Sequence, residues 1–368
     1  MTLRPLYALS LAVALLVMGQ SCAHLEMANA QQPIRLSATD PKIEYSGRWE
    51  VDDEGRVLVG YSGARARLRF EGTSLTVLID DDSGENYAQA WVDGERQPKF
   101  RLDSEDGRYL IAEGLAPGEH TVEIMRITEC FLGLTRFGGF LLPAGGEALE
   151  WGSQNDRKIE FIGDSITCGY GVEVDDPSEP FKASTENFSL GYSGLTARAL
   201  DADFLVVSRS GIGMVRNYDG PREGSENTMP DVYPNTFYLN DRYQWDFERF
   251  VPDVVCINLG TNDFSTTGVD AERFVSSYVD FAAKVLERYD DAQLVVLQGP
   301  MNNHPELRAA LESVLAKITP IAPDRISFLE LSAQGSVGFG ASYHPNRAQS
   351  RINAAELTAF LSDLMGWE

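Results

Sequence analysis

Four short blocks carry the residue types that acyl transfer requires. Residues 159–162 form an apolar strand that runs into Gly163-Asp164-Ser165 and then into the glycine-rich turn Cys168-Gly169-Tyr170-Gly171. A hydroxyl at the carboxyl end of a strand lies where open α/β sheets place their ligands. A second strand, 204–207, leads into Ser208-Arg209-Ser210-Gly211-Ile212-Gly213-Met214, and a third, 254–257, into Asn258-Leu259-Gly260-Thr261-Asn262-Asp263. Tyr343-His344-Pro345-Asn346 falls between the last expected strand and the last expected helix. A nucleophile needs a base, and a developing oxyanion needs preset donors. Ser165 is the candidate nucleophile and His344 the candidate base. The backbone N–H groups of Ser165 and Gly213, with the Asn262 side-chain amide, are the candidate oxyanion donors. Gly213 has no side chain, so its N–H can approach closely. Ser165 is not in a Gly-x-Ser-x-Gly elbow, which disfavours the α/β-hydrolase fold. Taken alone, Gly-Asp-Ser is equally a turn signal, because all three residues favour turns; the ordered partners give it weight.

The other histidines are set aside by position. His24 falls in an N-terminal leader, His120 in a strand of the β-rich region, and His304 precedes Pro305 at an expected helix start. Pro345 biases His344 away from helical geometry, which lets the ring face the sheet edge. Asp164 reads as a turn cap through local hydrogen bonds sooner than as an acid or base. Tyr343, beside the base, is a candidate substrate-binding residue, with a core tyrosine as the equal alternative.

Ser165, Gly213, Asn262 and His344 stand at the four eponymous positions of the SGNH, or GDSL-type, hydrolases, and the chain resembles that superfamily over residues 157–368. The longer strings Gly-Asp-Ser-Ile-Thr-Cys-Gly-Tyr-Gly and Ser-Gly-Ile-Gly-Met, behind a β-rich region, resemble carbohydrate esterase family 2. The resemblance implies a jelly-roll domain followed by an SGNH domain, and removal of acetyl groups from plant polysaccharides such as xylan and glucomannan. One departure stands out. SGNH enzymes usually carry an aspartate three residues before the histidine, and here that position is Ala341. Members of the resembled family often work with a Ser-His dyad whose histidine is held by a backbone carbonyl.

The elements that must position these residues fall into two textures. Residues 31–150 read as short strands between turn signals, at 56–61, 66–70, 75–79, 87–92, 109–112 and 120–127, which suits a β-sandwich of jelly-roll type. From 157 strands alternate with helices, so a three-layer α/β domain with a parallel sheet is expected over 157–368. Phe274, Tyr278, Phe281, Val285 and Tyr289 form an apolar stripe at helical spacing. Strands at 294–297 and 326–331 and helices at 305–317 and 346–364 complete the unit. Residues 214–247 lack periodicity, and loops of that length inside a domain are usually functional. The join at 143–157 has no long Ser/Pro tract, so the domains should pack together.

Composition bounds the rest. The 368 residues carry a net charge of −24, which argues against nucleic acid and anionic membrane surfaces as partners. Residues 1–30 read as an export signal: Arg4, an apolar run over 6–18, and a small-residue cleavage site at Ala28-Asn29-Ala30, leaving Gln31 first. The run is too short for a comfortable membrane span. A lipid anchor on Cys22 is the runner-up. The expected location is periplasmic or extracellular. Cys130, Cys168 and Cys256 make no disulfide framework, and no Cys/His cluster has metal-ligand spacing.

The expected function is therefore a secreted carbohydrate esterase, acting on an acetylated polysaccharide or oligosaccharide, with no cofactor. The rivals are a lipid esterase or thioesterase of the same superfamily and a non-catalytic carbohydrate-binding protein.

Overall fold

A computed structural model describes residues 32–152, 156–301 and 304–367. The export signal at 1–30, Cys22 and Gln31 lie outside the described residues. The first half is built on alternation: in the strand Ser74–Asp81, Leu75, Val77 and Ile79 are buried and their neighbours are not. Two antiparallel sheets result. One runs in the order Arg108–Glu113, Ser74–Asp81, Thr135–Leu142, Val57–Val59, Trp49–Val51, with Ile34–Ser37 on Thr135–Leu142. The other runs Glu147–Leu149, Arg65–Glu71, Glu119–Arg126, Tyr87–Val92, Glu95–Arg96. Their facing sides bury Leu68, Phe70, Val77, Ile124, Phe137 and Phe140 in one core. The strand Thr135–Leu142, central to its sheet, has no counterpart among the expected strands. A register shift between Phe137 and Gly139 interrupts its pairing with Ser74–Asp81.

The second half is a five-stranded parallel sheet in the order Asp203–Ser208, Lys158–Gly163, Val254–Asn258, Gln293–Gln298, Ile326–Glu330. These strands are near-continuously apolar because helices cover both faces. Ala271–Arg288 and Pro305–Ile318 pack together on one side, and Tyr192–Ala199 and Arg347–Met365 on the other. The expected stripe is buried as a unit, from Phe274 to Tyr289. Strand order reverses at Lys158–Gly163, so the crevice beyond its carboxyl end, between it and Val254–Asn258, is where a ligand fits. Ser165 and Asn262 flank that crevice.

The two halves share their cores. Trp91, Met125 and Ile127 of the sandwich pack with Phe161, Phe188 and Phe204 of the α/β unit. The aperiodic stretch after Gly213 bridges to the sandwich. It holds a one-turn helix, Met229–Val232, and a hairpin, Asn235–Phe237 with Asn240–Gln244. The backbone carbonyls of Tyr233 and Asn235 accept hydrogen bonds from Arg48 of the sandwich.

Candidate active site

The strand Lys158–Gly163 ends at Asp164, whose side chain accepts the Ile166 N–H at 3.0 Å and so caps the short helix Ser165–Cys168. Ser165 opens that helix at the rim of a cleft of about 740 Å³. His344 arrives from the turn before Arg347–Met365, and its Nε2 lies 2.8 Å from Ser165 Oγ. Its Nδ1 lies 3.1 Å from the Ala341 carbonyl and 3.2 Å from the Ser342 carbonyl. Both contacts fix the tautomer: Nδ1–H donates to the backbone and Nε2 accepts from the serine. Burial pushes the imidazole down to about 4, against the two carbonyls that favour its protonated form. The ring is therefore neutral and ready to take a proton at neutral pH.

No carboxylate contacts the His344 ring among the described residues, and the surroundings of Ala341 give the reason. Ala341 is fully buried, and a Cβ built on Gly171 would lie 2.4 Å from the Ala341 Cβ. The Ala341 N–H donates to the Gly171 carbonyl at 3.2 Å. The place that usually holds an aspartate is thus packed against the glycine-rich turn that follows Ser165. Ser342 and Tyr343 take left-handed torsions, with φ of 49° and 61°. Such torsions in non-glycine residues cost about 1–2 kcal/mol each. They curl the turn so that successive carbonyls face one nitrogen.

Tyr170 was not singled out from the sequence, and it is the closest aromatic neighbour of the base. Its ring stacks on His344 with centroids 4.0 Å apart and planes 25° apart, and its hydroxyl meets Ser342 Oγ at 3.3 Å. Phe181 backs it at 4.8 Å. Nothing but adjacency to the nucleophile block signals this role in the sequence.

Asn262 lies on the cleft with Ser165 and His344. Its Nδ2 donates to the Ile212 carbonyl at 2.8 Å and reaches Asp164 Oδ2 at 3.2 Å. Burial pushes the Asp164 carboxyl up to about 7. Asp263 ties the neighbouring loop down: its carboxylate accepts the N–H groups of Met214, Val215 and Arg216 at 2.7–2.9 Å. The buried Arg216 returns the contact to the Asn262 and Ser265 carbonyls.

Two sequence-based assignments need correction. Gly213 is buried away from the cleft, and its N–H donates to Asn217 Oδ1 at 3.0 Å. A Cβ there would meet the Arg216 carbonyl, so the glycine serves a tight turn. The glycine that lines the cleft is Gly211, at φ 79°. Tyr343 does not reach the cleft: it is 60% exposed and packs on Phe339. Its left-handed torsion turns the side chain outward. The cleft instead receives Tyr170, Tyr218, Arg209, Met301 and His304, the last of which position alone had set aside.

Among the described residues, one group has metal-ligand chemistry within reach. Glu129, Cys168 and Glu186 are all buried, with ligand atoms within 4.8 Å of one another. Folding brings them together from three separate segments, so spacing in the sequence could not reveal the group.

Residues 45–151 match the model of the carbohydrate esterase 2 N-terminal domain, and residues 161–348 that of the GDSL-like lipase/acylhydrolase family. An acetylxylan esterase / glucomannan deacetylase of Cellvibrio japonicus is 31% identical over 343 residues, covering 88% of this chain and 91% of its own length. The chain belongs to carbohydrate esterase family 2. It is a carboxylic ester hydrolase of the GDSL-like type. The family two esterase from Clostridium thermocellum, solved in complex with cellohexaose, has a TM-score of 0.84 at 36% identity, covering 89% of this chain and 100% of that one. Cellulase/esterase CelE of Acetivibrio thermocellus is 36% identical over 336 residues, and the chain spans 40% of that protein's length.

Proposed function

We propose that this family 2 esterase is exported and removes O-acetyl groups from plant-type polysaccharides or oligosaccharides through a Ser165–His344 dyad. The observation that carries the reading is the His344 Nε2 to Ser165 Oγ contact at 2.8 Å, with Nδ1 held by two backbone carbonyls. His344 takes the Ser165 proton as Oγ attacks the ester carbonyl, and returns it to the leaving sugar hydroxyl. Water then repeats the cycle and releases acetate. The oxyanion is met by the N–H groups of Ser165 and Gly211 and by the Asn262 Nδ2–H that now makes the longer contact to Asp164.

A lipid esterase or thioesterase reading is less well supported. The cleft wall offers Ser, Thr, Tyr, Arg and His side chains, with Met301 as its aliphatic member. Such a lining suits hydroxyl-rich sugars better than an acyl chain. Export is supported by the leader-like residues 1–30. Among the described residues no helix is long and apolar enough to cross a membrane. The test is a panel of p-nitrophenyl esters from acetate to octanoate, alongside acetate release from acetylated xylan and glucomannan. Preference for acetate and release from either polymer support the reading; preference for octanoate overturns it.

A further inference from the structure

Glu129 lies on the sandwich side of the domain junction, just after the strand Glu119–Arg126, and is fully buried. It reaches into the loop that carries Gly211. Its Oε2 accepts the Ser210 N–H at 2.6 Å, and its Oε1 accepts the Ser210 hydroxyl. Its own N–H donates to Glu186 Oε2 at 3.0 Å. Glu186 is equally buried, and its Oε1 has no donor in the surrounding protein.

Two carboxylates so close in dry surroundings cannot both ionise. Burial drives both above the usual carboxylate range, Glu186 further because Glu129 is its neighbour. A proton on Glu186 Oε1, donated toward Glu129, supplies the missing partner. The groups around the pair do not replace it. Arg126 spends its guanidinium on the Thr128 and Glu129 carbonyls and on Thr135 Oγ1. Arg209 acts on Glu129 at a distance and favours its charged form, and Glu129 in turn helps raise Asp164. Cys168 Sγ bonds Ser208 Oγ at 3.2 Å, and burial holds the Cys168 and Cys130 thiols protonated.

We propose that Glu129 is a positioning residue of this esterase: a carboxylate from the sandwich that fixes Ser210 so that Gly211 presents its N–H beside Ser165. The inference rests on Gly211 being an oxyanion donor, as proposed above. It makes the α/β unit incomplete by itself, because its oxyanion loop is held from the other domain.

The test uses the full chain, with p-nitrophenyl acetate kinetics, thermal melting, and hydrogen exchange of the peptide covering 208–214. Glu129→Gln should lower kcat at least thirtyfold, hold KM within threefold, and speed exchange in that peptide. Ser210→Ala keeps the N–H contact and should cost three- to tenfold in kcat. A folded Glu129→Gln with kcat within threefold of wild type overturns the proposal. If Glu129→Gln does not fold, Ser210→Ala decides: unchanged kcat and unchanged exchange overturn the proposal. A wild-type protein without esterase activity would overturn the esterase reading, and exchange in 208–214 would still decide whether Glu129 holds the loop.

Discussion

The sandwich meets the α/β unit in two electrostatically opposite ways. Near the starts of the catalytic strands it sends arginines to carboxylates: Arg48 lies 3.5 Å from Glu160, and Arg65 and Arg67 lie 2.6 and 2.8 Å from Asp203. Arg48 and Glu160 are fully buried, Tyr233 OH also bonds Glu160, and the Arg48 guanidinium lies over the Tyr233, Trp245 and Phe247 rings. Beyond the strand ends, beside the cleft, the sandwich sends a carboxylate to another carboxylate. The first seam sets opposite charges against each other; in the second, burial raises both carboxyls and Glu129 accepts two hydrogen bonds from Ser210. Charge pairs suit a junction that only has to hold. A carboxylate that grips both donors of one loop residue suits one that also aims a loop.

Substitutions should separate holding from aiming, starting with the largest effect. Ser165→Ala marks the chemical extreme, with kcat reduced roughly 10⁵–10⁶-fold and an unchanged melting curve; turnover near the wild-type rate would remove Ser165 from its role. Glu160→Ala marks the structural extreme. It strands Arg48 in the seam and should cost about 3–5 kcal/mol of stability, read by urea unfolding, with kcat of the folded fraction unchanged. Arg48→Met with Glu160→Leu should recover most of that loss, since an apolar pair of similar volume often replaces a buried ion pair at little cost. Asn262→Ala should lower kcat by about 10²–10³ with KM nearly constant; a pure KM effect would make it a ground-state contact.

The pH profile of kcat/KM sharpens the chemical side. The base must be neutral, and burial sets His344 at about 4. Activity should hold as pH falls through 6 and drop about tenfold per unit below pH 4. A midpoint near 6.5 would mean that the ring is far wetter than its packing indicates. Tyr343→Ala should be the smallest change, within about 0.5 kcal/mol in stability and twofold in kcat, because the ring points away from the cleft.

Much of this was legible in the residues. Ser165, Asn262 and His344 converge as their blocks suggest, and the helix from Phe274 to Tyr289 follows its stripe. The absence of aspartate at 341 was visible, although its cause, the close approach of Gly171, was not. What stayed hidden depends on tertiary geometry. Gly211 and Gly213 are equivalent as letters, and only the Asn217 and Asp263 contacts show which N–H groups are already engaged. Glu129 gave no local signal because its partners come from residues 168, 186 and 210. The strand Thr135–Leu142 has no clean alternation in the sequence, because a double glycine and a register shift interrupt it midway.

The left-handed pair Ser342–Tyr343 carries one more consequence. In a Ser-His-Asp triad, orientation of the base depends on the identity of a third side chain, and one substitution can delete it. Here the acceptors are main-chain carbonyls, which no substitution removes. What evolution must preserve at 341–343 is a pair of torsion angles and the small neighbour that makes room for them. The third member of this site is encoded as a shape of the chain.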